Sequence, residues 1–277
     1  MFVRLLVLCI TIGWLLCMES VAEPLRALIL SGQNNHRWQV TTPLLRKALE
    51  DAACFKVTVT ESPETLDAAA LENVDVIVSN WNSFVQEGVK TWPKTAQDAL
   101  LSFVAQGKGF VSVHAGSSSF YDWPEYQEMV MTYWDHGKTG HGRVHRFEVT
   151  CEPNHAITGG VPGFFIHDEL WHRVPLPKEA RVLATAFSSG ESGGSGKNEP
   201  VLMVRDYGKG RSVNLLLGHD ERAMQCPGFI RLFTRSVEWA ATGEVGGREE
   251  GDGLIDQSGE QEADRETSRS QHESDGE

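Results

Sequence analysis

The chain has 277 residues, of which 40% are apolar, enough for one sizeable core. It carries 38 Asp and Glu against 25 Lys and Arg, a net charge of −13, and no basic stripe, which argues against nucleic acid as a partner. Most of that charge falls beyond Gly243, so it says little about the folded body.

Met1–Ala22 has the pattern of a secretory leader: Arg4, the apolar run Leu5–Leu16, then Ser20-Val21-Ala22 as a cleavage site. The run is shorter than the roughly 20 residues that span a bilayer, so export without a remaining membrane span is expected, to the periplasm or outside the cell. Leu25–Leu30, bounded by Ser31-Gly32, suits a buried parallel strand. Thr41-Thr42-Pro43 predicts a helix start, with a Thr cap ahead of Pro. Phe55–Thr60 is a second strand, Ser62–Leu71 a short helix and Val74–Val78 a third strand ending at Ser79-Asn80. Thr95 is expected to cap the next helix, which ends at Gly107-Lys108-Gly109 and leads into a strand, Phe110–Val113.

This alternation predicts parallel strands with helices on both faces. After His114 the regularity falls away. Phe120–Trp134 is aromatic and partly helical, Gly137–His145 a loop, and Pro162–Val174 a loop with a short extended piece. Arg146–Thr150, Ala180–Phe187, Val201–Val204 and Ser212–Leu217 are further strands. Gly208-Lys209-Gly210-Arg211 lies between two strands, which favours a turn with solvated charges over a phosphate loop. Phe229–Ala241 closes the domain as an amphipathic helix, so the folded unit is Glu23–Thr242. Gly243–Glu277, acidic and almost without large apolar residues, is expected to be a disordered tail.

Ligands of such sheets bind outside the carboxyl ends of the strands. Those loops carry His36 and Trp38, Asn80, His114, and His219-Asp220. Asp168-Glu169-x-Trp171-His172 adds carboxylates and a further imidazole. The expected catalytic groups are His114, His219, Asp220 and Glu169, and the expected substrate contacts are His36, Trp38, Asn80, Trp123 and Trp171. Imidazoles and carboxylates serve either as metal ligands or as acid–base pairs. In the first case His114, Glu169 and His172 would hold a divalent ion, zinc or manganese, with His36 or His219 as alternates. Glu169 and His172 share a face if their stretch is helical and diverge if it is extended. In the second case His114 or His219 takes a proton while Asp220 or Glu169 fixes its tautomer. No Gly-x-Gly-x-x-Gly follows the first strand, so no nucleotide cofactor is expected.

Nearly all of Leu25–Ala241 resembles the ThuA (trehalose-utilisation) family. The matching pieces include His36-x-Trp38, Gly107-Lys108-Gly109-Phe110-Val111-x-Val113-His114-Ala115, Phe120-x-x-Trp123-x-x-Tyr126, His141, Asp168-Glu169-x-Trp171-His172 and Leu217-Gly218-His219-Asp220. The resemblance implies a flavodoxin-like three-layer sandwich akin to class I glutamine amidotransferases, with a mainly parallel central sheet. It also implies a small-molecule carbohydrate as partner: a disaccharide, glycoside or keto-sugar that is isomerised or hydrolysed. The alternative is a carbohydrate-binding or accessory protein without turnover. The amidotransferase relatives place a cysteine nucleophile in an elbow after the middle strand; here His114 stands at that point, which argues against glutaminase chemistry.

Overall fold

A computed structural model describes residues 23–84 and 92–246. The expected leader and all but the first residues of the expected acidic tail lie outside the described residues. The chain runs β1 (Leu25–Leu30), α1 (Trp38–Asp51), β2 (Phe55–Thr60), α2 (Ala68–Leu71), β3 (Val76–Ser79), α3 (Lys94–Ala105), β4 (Gly109–Val113) and α4 (Pro124–Val130). It continues through β5 (Gly140–His141), β6 (His145–Cys151), β7 (Phe164–Asp168), β8 (Trp171–His172), β9 (Arg181–Ser188), β10 (Lys197–Tyr207) and β11 (Gly210–Leu215). Two helices, α5 (Glu221–Met224) and α6 (Pro227–Thr242), close it.

Nine strands form one sheet in the order β2-β1-β3-β4-β11-β10-β9-β6-β7. The half from β2 to β11 is parallel, as the alternation predicts, and β10, β9, β6 and β7 extend it by antiparallel pairing. Sequence explains the difference. β3 and β4 are buried at every position, the continuous apolar run of a strand covered on both faces. β2, at the edge, alternates Phe55 and Val57 inward with Lys56 and Thr58 outward. One face of the sheet is sealed by α1 and α6 through Leu45, Leu49, Phe229, Phe233 and Val237. The other is sealed by α3 and α4 through Leu100, Phe103, Tyr126 and Met129, giving three layers.

Three local expectations change. The helix before β4 starts at Lys94 with Pro93 at its N-cap, so Thr95 lies inside it rather than capping it. The helix after β1 starts at Trp38, not at Thr41, with Pro43 inside it. Thr41 and Thr42 have another task, since their hydroxyls accept the Asn80 side-chain amide at 3.0 and 2.8 Å. Arg211 is not a solvated turn charge; its guanidinium donates to the carbonyls of Trp239, Ala240 and Ala241, closing the carboxyl end of α6.

The amino edge of the sheet is tied by Asp75, which accepts from the Arg26 guanidinium at 3.1 and 3.2 Å and from Lys108 Nζ at 2.9 Å. Burial alone would raise its carboxyl, but the hydrogen bonds from Arg26 and Lys108 outweigh it and hold the group well below the usual carboxylate range. A depressed folded value means that the contribution is complete above the unfolded pKa of about 3.9 and is lost as pH falls below it. Asp75→Asn is expected to destabilise the fold by about 1–2 kcal/mol at neutral pH. The gap should narrow on acidification, because the loss is complete only below the depressed folded value; thermal melts of both proteins at pH 7 and pH 3 check this, and a constant gap would contradict it.

Candidate active site

β1 pairs with β2 on one side and β3 on the other, so the strand order reverses there, and the carboxyl ends of β1, β3, β4 and β11 open onto one rim. Three histidines from three of those ends converge. The ring centroids lie 4.8 Å apart for His36 and His114, 4.7 Å for His36 and His219, and 5.3 Å for His114 and His219. Sequence reasoning expected this meeting at the rim.

Each ring is set in place by its surroundings. His114 follows β4 directly at φ +47°, in the left-handed region. For a residue other than glycine such a conformation costs about 1–3 kcal/mol and persists only where the surroundings impose it. The elbow after the middle strand is therefore present, with an imidazole in it. His114 Nδ1 donates to the Leu216 carbonyl at 2.8 Å, which leaves the Nε2 lone pair facing the cluster. His36 Nδ1 lies 3.1 Å from Asn34 Oδ1, which also accepts the His36 backbone N–H and the Asn82 amide. The carbonyl oxygen fixes the proton on Nδ1, so His36 also turns Nε2 free of hydrogen. His219 sits behind Gly218, whose φ of +101° and contact with the Phe229 ring leave no room for a Cβ.

Burial, reinforced by the neighbouring imidazoles His114 and His219, pushes His36 down to about 3. Burial, reinforced by His219, pushes His114 down to about 3 as well. Both are uncharged at neutral pH. Across from them lies Glu169, only 7% exposed. Its Oε1 accepts the Trp171 indole N–H at 2.7 Å and lies 3.8 Å from His114 Nε2. Its Oε2 is 3.4 Å from Nδ1 of both His141 and His219. Glu169 and Trp171 therefore face the same way, as residues two apart in extended chain do. The extended alternative holds for this stretch.

Five expected site residues have other placements. His172 points away from the cluster and lies against Gly140, so close that a Cβ there would sit 2.7 Å from its Cε1. Asp220 caps α5, its Oδ1 accepting the Ala223 N–H at 2.9 Å, so its carboxylate is committed to the backbone. Trp123 stacks on Tyr126 at 5.3 Å within the core beneath α3 and α4, because aromatic area buried there outweighs exposure at the rim. Asn80 is buried and spends its amide on Thr41 and Thr42, pinning the loops rather than meeting a substrate. Trp38 opens α1, half-buried, outside the lining of the cavity.

Asn35, His36, Phe84, Ala115, Ser118, Trp134, His141, Glu169 and Trp171 line a cavity of about 160 Å³. A larger groove of about 620 Å³ runs between α2 and α3 but has no histidine in its lining. Three contributors stand outside the set of expected catalytic, substrate-binding and metal residues. His141 is brought in by the short pairing of β5 with β8, opposite Trp171. Trp134 packs on Trp171 at 5.2 Å. Asp168, fully buried, accepts N–H bonds from Glu169, Gly218 and His219 at 2.8, 2.7 and 3.0 Å. Burial pushes its carboxyl up to about 7 against the pull of those three donors. Of these, His141 had a sequence signal in the family pattern, and Asp168 in its adjacency to Glu169.

The profile of the ThuA family, described as trehalose utilisation, matches residues 26–240. Among solved structures the chain is similar to a ThuA-like protein from Parabacteroides merdae, with 31% identity, a TM-score of 0.71, and 82% of this chain and 93% of that one covered. It is also similar to a ThuA-like protein from Bacteroides uniformis, with 17% identity, a TM-score of 0.60, and 80% and 95% covered. A search of curated proteins finds no match.

Proposed function

The chain belongs to the ThuA family of trehalose utilisation, and from that premise we propose that its cavity takes a sugar or keto-sugar and works on it by His and Glu acid–base chemistry. Family membership supports the carbohydrate-related role. The observation that carries the chemistry is a buried carboxylate, Glu169, facing imidazole nitrogens of His141, His219 and His114 across 3.4–3.8 Å. Trp134, Trp171 and Phe84 give the cavity aromatic walls, against which the C–H face of a sugar ring packs, while the polar lining meets its hydroxyls.

His36 and His114, uncharged, present nitrogens without carrying charge, which leaves proton transfer to Glu169. With a keto-sugar, Glu169 accepts the proton from the carbon beside the carbonyl. The electron pair moves to the carbonyl oxygen; return of the proton to a carbon then completes an isomerisation, or collapse of the enolate breaks the bond to the glycosidic oxygen, which leaves with the proton handed back by Glu169. The test is proton NMR in heavy water with the purified chain and a 3-keto-glycoside, beside the parent disaccharide. Exchange of the C–H proton or cleavage is expected. Saturable sugar binding with neither would favour the non-catalytic binding protein instead.

Export is part of the same proposal, supported by the Met1–Ala22 pattern. Protein recovered from outside the cytoplasm should begin at Glu23, and N-terminal sequencing that finds Met1 there would refute cleavage.

A further inference from the structure

We infer that His36, His114 and His219 are the protein ligands of one divalent transition-metal ion, with Glu169 beside it rather than in the ligand set. The inference needs no sugar and stands apart from the proposed turnover. Among the described residues, these three form the one group of His, Cys, Asp or Glu whose donor atoms all lie within 4.8 Å of one another. The ligands come from three separate strand ends, so the sheet holds them in place before any ion arrives.

The hydrogen bonding behind two of the three rings is that of a ligand. Metal-bound imidazoles commonly donate their other N–H to a carbonyl or carboxylate, which fixes the tautomer and aims the lone pair. His114 does this to Leu216, and His36 does it to Asn34. The atoms aimed inward are left over. His114 is 3% exposed, yet its Nε2 has no hydrogen-bond partner, and His219 Nδ1 is also buried without one. A buried polar atom without a partner is costly, and an ion between the rings would satisfy it.

Ion size and softness narrow the choice. A tetrahedral ion at 2.0–2.1 Å from each nitrogen holds its donors about 3.4 Å apart, so the rings need to draw in by roughly 1 Å, within the reach of side-chain rotation. Three imidazoles suit zinc, whereas manganese prefers oxygen donors, so zinc is favoured of the two expected from sequence. Three protein ligands leave a further position open, the arrangement of catalytic rather than structural zinc. Glu169 Oε2 lies 3.4 Å from His219 Nδ1, at the flank of the cluster. His172, assigned as a ligand from sequence, is excluded because its ring lies on the far side against Gly140.

The experiment uses the full chain, stripped with chelator and titrated with zinc chloride by calorimetry, and separately loaded with cobalt(II) for visible absorption. One zinc per chain is expected, with an intense visible cobalt band of a nitrogen-rich tetrahedral site. His114→Ala and His36→Gln should each weaken zinc affinity by more than 100-fold; the second lies in a loop, so it tests the site even if the first fails to fold. Asn34→Ala, which removes the acceptor behind His36, should weaken it by about 10–100-fold. His155→Ala, whose ring packs on Trp239 away from the site, should change nothing. Absence of stoichiometric binding, or wild-type affinity in His36→Gln, would overturn the inference.

Discussion

Glu169→Gln should lower turnover of the keto-sugar by about 10²–10⁴-fold while sugar affinity and melting temperature stay near wild type. The substitution keeps shape and removes only the ability to take a proton. Its amide oxygen can still accept the Trp171 indole N–H, which now meets Oε1 at 2.7 Å. Its amide nitrogen then turns towards His219 Nδ1, a buried nitrogen without a hydrogen-bond partner, while His141 Nδ1 keeps its own bond to the Gly142 carbonyl at 2.7 Å. No polar group is orphaned by the change, so the fold has no reason to respond. The separation between kcat and KM is therefore informative. A loss confined to KM would make Glu169 a binding residue, and unchanged turnover would remove it from the chemistry altogether.

The sequence exposed the rim because loops after short apolar strands can be placed from periodicity alone, before any contact is known. β1 and β2 fall where the pattern puts them, and His36, His114 and His219 follow from strand ends. One cause of the losses is pairing between residues far apart, which local pattern does not encode. β5 and β8 are two residues each and exist only through each other, so His141 looked like part of a loop. Asp220, next to a histidine at a strand end, has the local signature of a tautomer-fixing acid. A helix of one turn begins after it, and the N-cap takes its carboxylate. Trp123 and Trp171 are both buried aromatics in stretches without a clear sequence period, yet only the second lines the cavity. That distinction depends on which layer lies underneath, a property of the packed fold rather than of composition.

Asp168→Asn should cost about 1–3 kcal/mol of stability and lower activity as well, although Asp168 touches no substrate in the proposed scheme. Both carboxylate oxygens are committed: Oδ1 accepts from Glu169 and His219, and Oδ2 accepts from Gly218. An asparagine has one acceptor oxygen, so whichever way it turns, its NH₂ faces at least one backbone N–H in a fully buried place. The turn at Gly218 and His219 must then move, and with it a ring that faces Glu169. Asp168 is thus a positioning residue, and position is what its test should read. A structure of the variant should show His219 displaced, with kcat falling more than sugar affinity. Asp220→Ala supplies the contrast, since it removes an N-cap worth about 1 kcal/mol from α5 without taking a carboxylate from the cavity. If the two variants lose equal stability and equal activity, the buried carboxylate behind the turn has no special part in holding His219, and placement of that ring must come from Gly218 and the core beneath it.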